Sequence, residues 1–400
     1  MSYIAKRLEV IQPSPTMAMT AKAGELKAAG KDVIGLAAGE PDFDTPEHIK
    51  AAAKAAIDGG QTKYTAAAGT PALKQAIIDK LKRDNGLEYT ANQIVVTNGA
   101  KQLLFNAFLA TLNPGDEVII PSPFWVSYPD MVQIAEGTPV IVDCPAEHGF
   151  KLQPDALEKA ITPSTKWLVL NSPSNPTGAG YTRDEMKALT DVLLKHPQVM
   201  VLADDIYEFL VYDGFEFVTP AQVEPKLFDR VLTVNGVSKA YAMTGWRIGY
   251  GAGPVELMKK IGVIQSQSTS NACSISQAAT VEALNGSHEF LKEWVPSFKR
   301  RRDLVVSKLN AIDGIECAVP QGAFYVFPSI KGLIGKKAPD GRVISDSYVF
   351  CEYLLEEVLV AAVAGAAFGM DGHFRVSYAT SDEALEKACA RIAEAVSKLV

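Results

Sequence analysis

Short apolar runs separated by helix-length segments dominate the middle of the chain. The runs are residues 94–96, 118–120, 140–142, 168–170, 199–202 and 231–234. Apolar runs of this length with little polar alternation are typical of strands that are buried on both faces of a sheet. Helix-length segments lie between most of them. This alternation, over about residues 90–255, predicts an α/β domain with a mostly parallel sheet.

Capping signals indicate where several helices begin. Thr182 and Thr380 are each followed three residues later by a glutamate, which is the spacing of a capping box. Thr45 and Thr70 each precede a proline, a residue that suits the first turn of a helix. We therefore expect a helix to begin directly after each of these four threonines.

The C-terminal part of the chain has a different pattern. A long helical stretch covers residues 286–311, and the final helix has an apolar face that includes Leu385 and Ile392. Short strands are predicted at residues 323–327, 358–363 and 374–378. These elements indicate a second, smaller α+β domain, and the lack of a linker-like run predicts that the two domains pack together.

Charge and composition narrow the classes of function. The 400 residues include 46 acidic and 39 basic side chains, a net charge of −7. This balance argues against a pervasive basic face for nucleic acid or for an anionic membrane. The longest nearly uncharged apolar run, residues 358–368, is too short to span a bilayer, and residues 1–10 have no apolar signal region. We expect a cytoplasmic enzyme or binding protein without a nucleic-acid or membrane partner.

Cysteines and histidines give no support for a metal centre. The five cysteines are scattered without a C-x-x-C pair, and the five histidines include no pair at ligand spacing. We therefore expect neither a metal site nor a disulfide framework, and a reducing compartment fits best.

Polar residues that follow the apolar runs are the first candidates for chemistry, because ligands of doubly wound folds bind beyond the carboxyl ends of the strands. Gly99 lies at a strand-to-helix turn that suits a phosphate, although such a glycine is more often structural. Asp204 follows four apolar residues, where a carboxylate needs a partner or caps a helix. Lys239 ends another apolar run. Desolvation would make its amine nucleophilic toward an aldehyde, and the alternative is an ordinary solvated lysine.

Several motifs together resemble those of one enzyme family. Ser238 and Lys239, followed by Arg247, resemble the cofactor-lysine motif of class I aminotransferases of pyridoxal-phosphate fold type I. The resemblance continues in collinear order through residues 38–43, 63–64, 98–102, 125–129, 171–178, 204–207, 322–325 and 374–378. It spans nearly the whole chain. Within the family, the sequence is most similar to the bacterial aspartate aminotransferase branch, some members of which also transaminate prephenate.

The resemblance implies a domain organisation and an assembly. Residues 46–290 are expected to form a large cofactor-binding domain, a mostly parallel sheet flanked by helices, and residues 291–400 a small α+β domain. Residues 1–45 are expected to join the small domain and close over the site. The active enzyme is expected to be a homodimer in which Tyr64 reaches the cofactor phosphate of the neighbouring subunit.

The resemblance also implies how pyridoxal 5'-phosphate is held. Lys239 is expected to bind its aldehyde carbon covalently and then to act as the base that moves the substrate proton. Asp204 is expected to face the pyridine nitrogen and stabilise its protonated form. Hydrogen bonds to the phenolic oxygen are assigned to Asn175 and Tyr207, and stacking on the ring to Trp125. The residues expected around the phosphate are Gly99, Ala100, Lys101, Ser238 and Arg247.

Substrate contacts follow from the same similarity. Arg375 is expected to clamp the α-carboxylate, and the alternative for it is a surface salt bridge. The residues expected to assist at the substrate are Gly39, Trp125 and Asn175. Lys101 is the candidate cation for a distal carboxylate, although a solvated lysine at a helix start is the alternative, and Ser14 and Thr16 could add hydrogen bonds. Gln12 occupies a region where a basic residue assists prephenate use in some relatives, which argues against prephenate.

These inferences lead to one principal hypothesis and several alternatives. The principal one is a ping-pong transamination in which L-aspartate and 2-oxoglutarate give oxaloacetate and L-glutamate. Alternatives with the same cofactor are aminotransferases for prephenate, arogenate, aromatic amino acids or alanine, and a β-lyase. A non-catalytic cofactor-sensing domain is a third class. The full set of Asp204, Lys239, Arg247 and Arg375 and the absence of a basic N-terminal extension argue against that class.

Overall fold

The computed structural model describes residues 3–11 and 13–400. Gln12, the residue used above to argue against prephenate, lies outside the described residues. The α-helices are α1 (Pro15–Ala28), α2 (Glu47–Asp58), α3 (Pro71–Asn85), α4 (Ala100–Thr111), α5 (Ser127–Ile134), α6 (Pro154–Ala160), α7 (Arg183–Lys195), α8 (Pro220–Val223), α9 (Val255–Ser268), α10 (Ser274–Asn285), α11 (Leu291–Asn310), α12 (Ser347–Val358) and α13 (Asp382–Ser397). The strands are β1 (Ile34–Gly35), β2 (Ile94–Thr97), β3 (Glu117–Ser122), β4 (Thr138–Asp143), β5 (Thr165–Asn171), β6 (Met200–Asp204), β7 (Val231–Gly236), β8 (Gly249–Ala252), β9 (Tyr325–Val326), β10 (Val360–Ala361), β11 (Val363–Ala364) and β12 (Phe374–Ser377).

A seven-stranded sheet in the order β2-β8-β7-β6-β5-β3-β4 forms the centre of the larger part of the molecule. Its strands are parallel except for β8, which is antiparallel to both of its neighbours, β2 and β7. Along β6, Val201 and Ala203 pack into one hydrophobic cluster while Leu202 packs into the cluster on the opposite face. Both faces are therefore covered, which explains the uninterrupted apolar runs. The predicted α/β class with a mostly parallel sheet is confirmed.

The C-terminal part combines helices with short strands, as predicted. Strands β11, β12 and β9 form a small antiparallel sheet. The strand predicted over residues 358–363 is partly wrong, because Val358 is the last residue of α12 and Leu359 ends that helix with a φ of 56°. The predicted long helix is α11, and it begins at Leu291 rather than near residue 286. None of the helices in residues 3–11 and 13–400 is long and apolar enough to cross a membrane.

The segment before α2 pairs with this C-terminal part. Strand β1 runs parallel to β10, with Ile34 opposite Val360 and Gly35 opposite Ala361. The side chain of Asp42 also forms an ion pair of 2.8 Å with Arg301 of α11. These contacts agree with an N-terminal segment that joins the small domain, while the boundaries of the domains stay a prediction.

Two of the four predicted helix starts are confirmed. The hydroxyls of Thr70 and Thr182 accept hydrogen bonds from the first turns of α3 and α7, and Thr182 belongs to a complete capping box. The other two are wrong in detail. Ser381 rather than Thr380 caps α13. Thr45 donates its hydroxyl hydrogen to a distant backbone carbonyl, and α2 begins without a side-chain cap.

The register of the large sheet brings polar residues together at one edge. Asn171 at the end of β5 lies opposite Asp204 at the end of β6, and Asp204 lies opposite Val234 of β7. Because these strands are parallel, the loops that follow them leave the sheet on the same side. The side-chain amide of Asn171 reinforces this alignment, since it donates to the backbone carbonyl of Asp204 at 2.8 Å.

Candidate active site

A cavity of about 530 Å³ lies beyond this edge of the sheet. It is lined by elements from both parts of the molecule and by the start of α1. Of the predicted site residues, those that line it are Ser14, Thr16, Gly39, Ala100, Lys101, Trp125, Asn175, Asp204, Tyr207, Ser238, Lys239, Arg247 and Arg375. The structure therefore brings predicted site residues from along the whole chain into one place. Gly99 and Tyr64 are not among the lining residues.

Lys239 follows the end of β7 and extends into the cavity. Its Nζ donates a hydrogen bond of 2.5 Å to the backbone carbonyl of Gly39. Burial lowers the pKa of the Lys239 amine to about 8, and the charges of Arg375 and Arg247 act in the same direction while Glu40 and Asp204 oppose them. An amine with this pKa is uncharged far more often near neutral pH than an ordinary lysine, so it is a better nucleophile and base.

Asp204 is the last residue of β6 and is only 5% exposed. The hydroxyl of Tyr128 donates to its Oδ2 at 2.6 Å, while its Oδ1 has no hydrogen-bond partner among the described residues. Burial raises the pKa of this carboxyl to about 6, although the Tyr128 hydrogen bond and the charge of Lys239 lower it. Since α8, the next α-helix along the chain, begins at Pro220, the alternative that Asp204 caps a helix is wrong.

Arg375 on β12 is a buried cation, with only 2% of its surface exposed. Its Nη1 donates to the side-chain oxygen of Asn175 at 2.9 Å, and its Nη2 donates to the backbone carbonyl of Ala37 at 2.5 Å. Its Nε has no partner among the described residues. The alternative of a surface salt bridge is wrong. A guanidinium held in this way by neutral groups can donate hydrogen bonds to a carboxylate of a ligand.

Tyr207 lies between the lysine and the small antiparallel sheet. Its hydroxyl is 2.9 Å from the hydroxyl of Tyr325, and Lys239 Nζ is 6.0 Å from the centre of its ring. Burial holds the pKa of Tyr207 well above its usual value, with the neighbouring Tyr325 acting in the same direction. Tyr207 therefore remains a neutral hydroxyl that can donate a hydrogen bond to a ligand oxygen.

The turn between β2 and α4 is packed against Arg247. Gly99 has a φ of 81°, and a Cβ at this position would lie 2.4 Å from Nη2 of Arg247. The Arg247 Nη1 donates to the carbonyl of Thr244 at 2.9 Å. Gly249 lets β8 lie equally close to the start of α4, because a Cβ at this position would lie 2.1 Å from the backbone nitrogen of Ala100. A guanidinium beside the free N–H groups of a helix start is a suitable site for a phosphate.

Trp125 and Lys101 also line the cavity. Lys101 Nζ lies 4.7 Å from the centre of the Trp125 indole, within the range of a cation–π contact. Ser14 and Thr16 at the start of α1 line the cavity nearby, and Thr16 Oγ1 is buried without a partner among the described residues. The structure is compatible with their predicted contacts to a substrate, and those roles stay predictions.

Sequence reasoning assigned no role to several polar residues that line the cavity. Tyr128 and Tyr325 contact predicted site residues through their hydroxyls, and Asn171 bonds the backbone of both Asp204 and Asn175. Glu40 and Thr244 also line the cavity and bond to each other at 2.9 Å, and Thr20 and Ser127 line it as well. A usable signal existed for most of them, because Glu40, Tyr128, Asn171 and Tyr325 lie within the ranges that carry the family resemblance.

Tyr64 is 92% exposed and lies outside this cavity. The structure therefore does not bring it to the site of its own chain. Its predicted contact with a neighbouring subunit stays a prediction.

Comparison with known proteins agrees with this geometry. Residues 31–392 match the model of the family described as aminotransferase class I and II. The aspartate/prephenate aminotransferase of Cereibacter sphaeroides is 62% identical over 392 residues, covering 98% of each chain, and an aspartate aminotransferase of Rhizobium meliloti is 58% identical over 395 residues, covering 99% of this chain and 96% of the relative.

Solved structures agree as well. The crystal structure of the aspartate aminotransferase from Rhizobium meliloti matches with a TM-score of 0.97 at 57% identity over the full length of both chains. The aspartate aminotransferase from Thermus thermophilus with maleate matches with a TM-score of 0.92 at 45% identity, covering 99% of this chain and 100% of that one. The predicted fold, that of the fold type I aminotransferases, is confirmed. This chain, with its lysine and its buried acid and arginine around one cavity, is a member of the class I and II aminotransferase family.

Proposed function

We propose that this aminotransferase uses pyridoxal 5'-phosphate to exchange the amino group of L-aspartate with 2-oxoglutarate. The observation that carries the proposal is that Lys239, Asp204 and Arg375 line one cavity, each with an unusual environment for its charge. Relatives at 62% and 58% identity carry names that include aspartate aminotransferase. Both half-reactions would take place in this cavity, with the amino group held on the cofactor between them.

The residues present fit the proposed cofactor. Asp204 Oδ1 is a buried carboxylate oxygen without a partner among the described residues, and such an oxygen can accept a hydrogen bond from a protonated pyridine nitrogen. Lys239 supplies an amine whose pKa is about 8. The glycine turn at Gly99, the start of α4 and Arg247 supply donors for a phosphate. Acid, amine and phosphate site therefore line the same cavity, as the shape of the cofactor requires.

When bound, pyridoxal phosphate supplies an aldehyde that condenses with amines and a ring that accepts the electrons left when Cα loses its proton. The protein residues do the rest. Lys239 would hold the cofactor, and its amine would move the proton of the substrate Cα. Asp204 would supply a negative charge for the ring nitrogen. Tyr207 and Asn175 would donate hydrogen bonds to a cofactor oxygen, and Trp125 would supply an aromatic surface for the ring.

The substrate is proposed to bind through its two carboxylates. Arg375 binds the α-carboxylate, since its Nε has no partner among the described residues and Asn175 already orients its Nη1. Lys101 is the candidate for the distal carboxylate, and Ser14 and Thr16 line the same cavity. The Thermus thermophilus relative was solved with maleate, which is a four-carbon dicarboxylate like aspartate. Aspartate and glutamate would share these contacts, as a ping-pong exchange requires.

Prephenate is the second candidate substrate. Relatives from Cereibacter sphaeroides and Rhizobium leguminosarum, each 62% identical to this chain, are named as aspartate/prephenate aminotransferases. This observation favours prephenate activity, whereas Gln12 argued against it.

The test is a half-reaction screen. The purified, cofactor-loaded protein is mixed in turn with aspartate, glutamate, arogenate, phenylalanine, alanine and cystathionine, and loss of the visible cofactor band is followed. Fast bleaching by aspartate and glutamate is expected, and bleaching by arogenate would add prephenate to the acceptors. Bleaching by alanine or phenylalanine without aspartate would refute the proposed specificity. Release of pyruvate or ammonia would indicate a lyase instead.

The covalent attachment is tested separately. Borohydride reduction of the loaded protein should fix the cofactor on the peptide that contains Lys239, and Lys239→Ala should remove both the label and the visible band. Labelling of a different lysine would refute the assignment. An apoprotein that never binds pyridoxal phosphate would refute the choice of cofactor.

The remaining parts of the proposal concern organisation. We place the cofactor in a large domain of residues 46–290, with a small domain of residues 291–400 and a closing segment of residues 1–45. We also propose a homodimer in the cytoplasm. Sedimentation of the purified protein and fractionation of cells that produce it would test the last two points.

A further inference from the structure

A cluster of buried polar side chains lies behind the cavity and lines none of it. Its centre is Glu208, which is 6% exposed. One carboxylate oxygen, Oε1, accepts from Asn235 Nδ2 at 2.6 Å and pairs with Lys80 Nζ, whereas Oε2 accepts from Asn85 Nδ2 at 3.0 Å. The Lys80 Nζ also donates to Asn85 Oδ1 at 2.8 Å. Each polar group of the cluster is therefore held by at least one other member.

The members belong to three elements that meet at the end of the sheet. Lys80 and Asn85 are in the last two turns of α3, Asn235 is in β7, and Glu208 follows β6 in the loop that carries Tyr207. Asn235 also accepts a hydrogen bond of 2.7 Å from the backbone N–H of Gly236. Glu208, in the loop that follows the acid, thus contacts the end of the strand that leads to the lysine.

Backbone pairing between β6 and β7 reaches Asp204 but ends before Tyr207, Glu208 and Lys239. The ladder between β6 and β7 ends with Asp204 opposite Val234, followed by one hydrogen bond from Asp205 N to Val234 O at 2.9 Å. Lys239 lies five residues beyond that point. The bond between Glu208 and Asn235 therefore continues the connection between these two strands with side chains, beyond their last backbone bond, while Asn235 and Gly236 are still paired with β8.

The composition of the cluster argues that it does more than fill space. Lys80 is fully buried, with 0% of its surface exposed, and the removal of a charged pair from water costs as much as the pair regains or more. Well-packed apolar side chains would stabilise the fold at least as well. A buried, fully bonded ion pair instead fixes one relative position of the elements that it joins.

We propose that Glu208 is a positioning residue, which joins the loop that follows Asp204 and carries Tyr207 to the end of β7, where the loop with Lys239 begins, and is itself held in place by Lys80 and Asn85. The inference deepens the proposed function, because it concerns how the proposed cofactor lysine is aligned with the proposed acid. Glu208 does not line the cavity, so it acts through these residues and not on the substrate.

Two matched variants separate this role from a purely structural one. Asn235→Ala and Asn85→Ala each remove one hydrogen bond to the same carboxylate and one further bond of the deleted amide oxygen. Of these two residues, only Asn235 lies on the strand that leads to Lys239. Hydrogen exchange of the cofactor-free protein is measured for a peptide covering residues 236–241, and the rate of pyridoxal phosphate capture by Lys239 is measured on the same samples.

The proposal expects a clear difference between the variants. Asn235→Ala should speed hydrogen exchange of residues 236–241 and slow cofactor capture by about tenfold. This factor is the lower end of the loss seen when a group that orients a binding residue is removed. Asn85→Ala should lose similar stability against urea without either effect. Equal behaviour of the two variants in exchange and capture would overturn the proposal.

The outcomes also separate this inference from the proposed function. If the unaltered protein never captures pyridoxal phosphate, the proposed function fails while the exchange data still judge the positioning role. If either alanine variant does not fold, Asn235→Ser and Asn85→Ser are compared in the same way, and the same difference is expected. Loss of exchange protection in both serine variants alike would contradict the inference.

Discussion

Tyr128 donates its hydroxyl hydrogen to Oδ2 of Asp204 at 2.6 Å and so leaves Oδ1 as the oxygen without a partner among the described residues. The ring of the same tyrosine meets Trp125 edge-on, with the ring centres 5.3 Å apart. One side chain therefore contacts both the acid and the aromatic ring that are proposed to lie around the cofactor. Its two contacts can be separated, because the hydroxyl serves the first and the ring serves the second.

Tyr128→Phe should raise the pKa of Asp204 above its value of about 6, because the variant removes a hydrogen bond that stabilises the carboxylate and leaves the burial unchanged. The measurement is a pH titration of isotope-labelled aspartate carboxyls in the cofactor-free protein. Tyr353→Phe, which removes the hydrogen bond of another buried tyrosine to Ala395, is the control and should not move this titration. An unchanged Asp204 titration in Tyr128→Phe would contradict the assignment.

Asp204→Asn should stabilise the cofactor-free protein at neutral pH. The folded-state pKa of Asp204, about 6, exceeds the ordinary aspartate value of 3.8, so the folded protein holds the proton more tightly and loses stability relative to the unfolded chain as the pH rises through about 6. A difference of this size corresponds to about 3 kcal/mol at most. Urea unfolding should show the variant more stable at about pH 7 and the difference much smaller at about pH 4. The same difference in unfolding free energy at both pH values would show that the ionisation of Asp204 is not its cause.

The sequence could predict most of the large sheet because both faces of its strands are buried. Apolar runs such as residues 231–234 carry that information locally. Helix starts were less predictable, since the choice between Thr380 and its neighbour Ser381 depends on which side chain meets the first free N–H group. The hydroxyl of Thr45 was instead taken by a carbonyl that lies 197 residues away along the chain, a contact that no local pattern encodes.

Site residues could be predicted where a sequence motif indicates their chemistry. They could not be predicted where their role depends on a contact that forms only in the folded protein. Lys239 and Arg375 were found from their motifs, and the cavity brings them together. The role of Tyr325 depends on a 2.9 Å approach to Tyr207, and these two residues are separated by 118 positions. The cluster around Glu208 was missed for the same reason, because Lys80 and Asn235 meet only after α3 packs beside the sheet.

Glu40→Gln should lower the pKa of Lys239 below about 8, because the Glu40 charge is one of the two that favour the protonated amine. Its carboxylate lines the cavity and accepts a hydrogen bond from Thr244 at 2.9 Å, which the amide oxygen can still accept. The pH dependence of cofactor capture by the cofactor-free protein gives the apparent pKa of the lysine, and its midpoint should move to lower pH. Glu256→Gln, on α9 and outside the cavity, is the control. A midpoint that stays in place would show that Glu40 does not act on Lys239.

Lys101→Ala should penalise aspartate more than alanine, because only aspartate has a distal carboxylate for the lost cation to bind. A charge-assisted hydrogen bond contributes about 1.5–3 kcal/mol, so the selective loss in kcat/KM should be about 10- to 100-fold. Rates of the first half-reaction with the two amino acids provide the comparison. Lys259→Ala, on the exposed side of α9, removes a cation outside the cavity as a control. Equal losses for aspartate and alanine would mean that Lys101 serves the cofactor or the fold and not the distal group.

Mixed dimers should test the proposed contribution of Tyr64 to a neighbouring site. Tyr64 is 92% exposed and lies outside the cavity of its own chain, so it can complete a site only from a second copy. Tyr64→Phe should weaken cofactor retention, and Lys239→Ala should abolish activity. After unfolding and joint refolding of equal amounts, half of the dimers are hybrids. Each hybrid has one site with an intact Lys239 and a Tyr64 from the other chain, so about a quarter of all sites should retain cofactor as in the unaltered protein.

The single variants refolded alone are the controls for this experiment, and cofactor retention is measured after dilution to a limiting concentration. The hybrid carries one intact tyrosine and one intact lysine on different chains, which makes the result depend on where the tyrosine reaches. If Tyr64 served its own chain, each site would lack either the tyrosine or the lysine. In that case mixing could never produce a site with normal retention, and the absence of a tightly retaining fraction would refute the shared site.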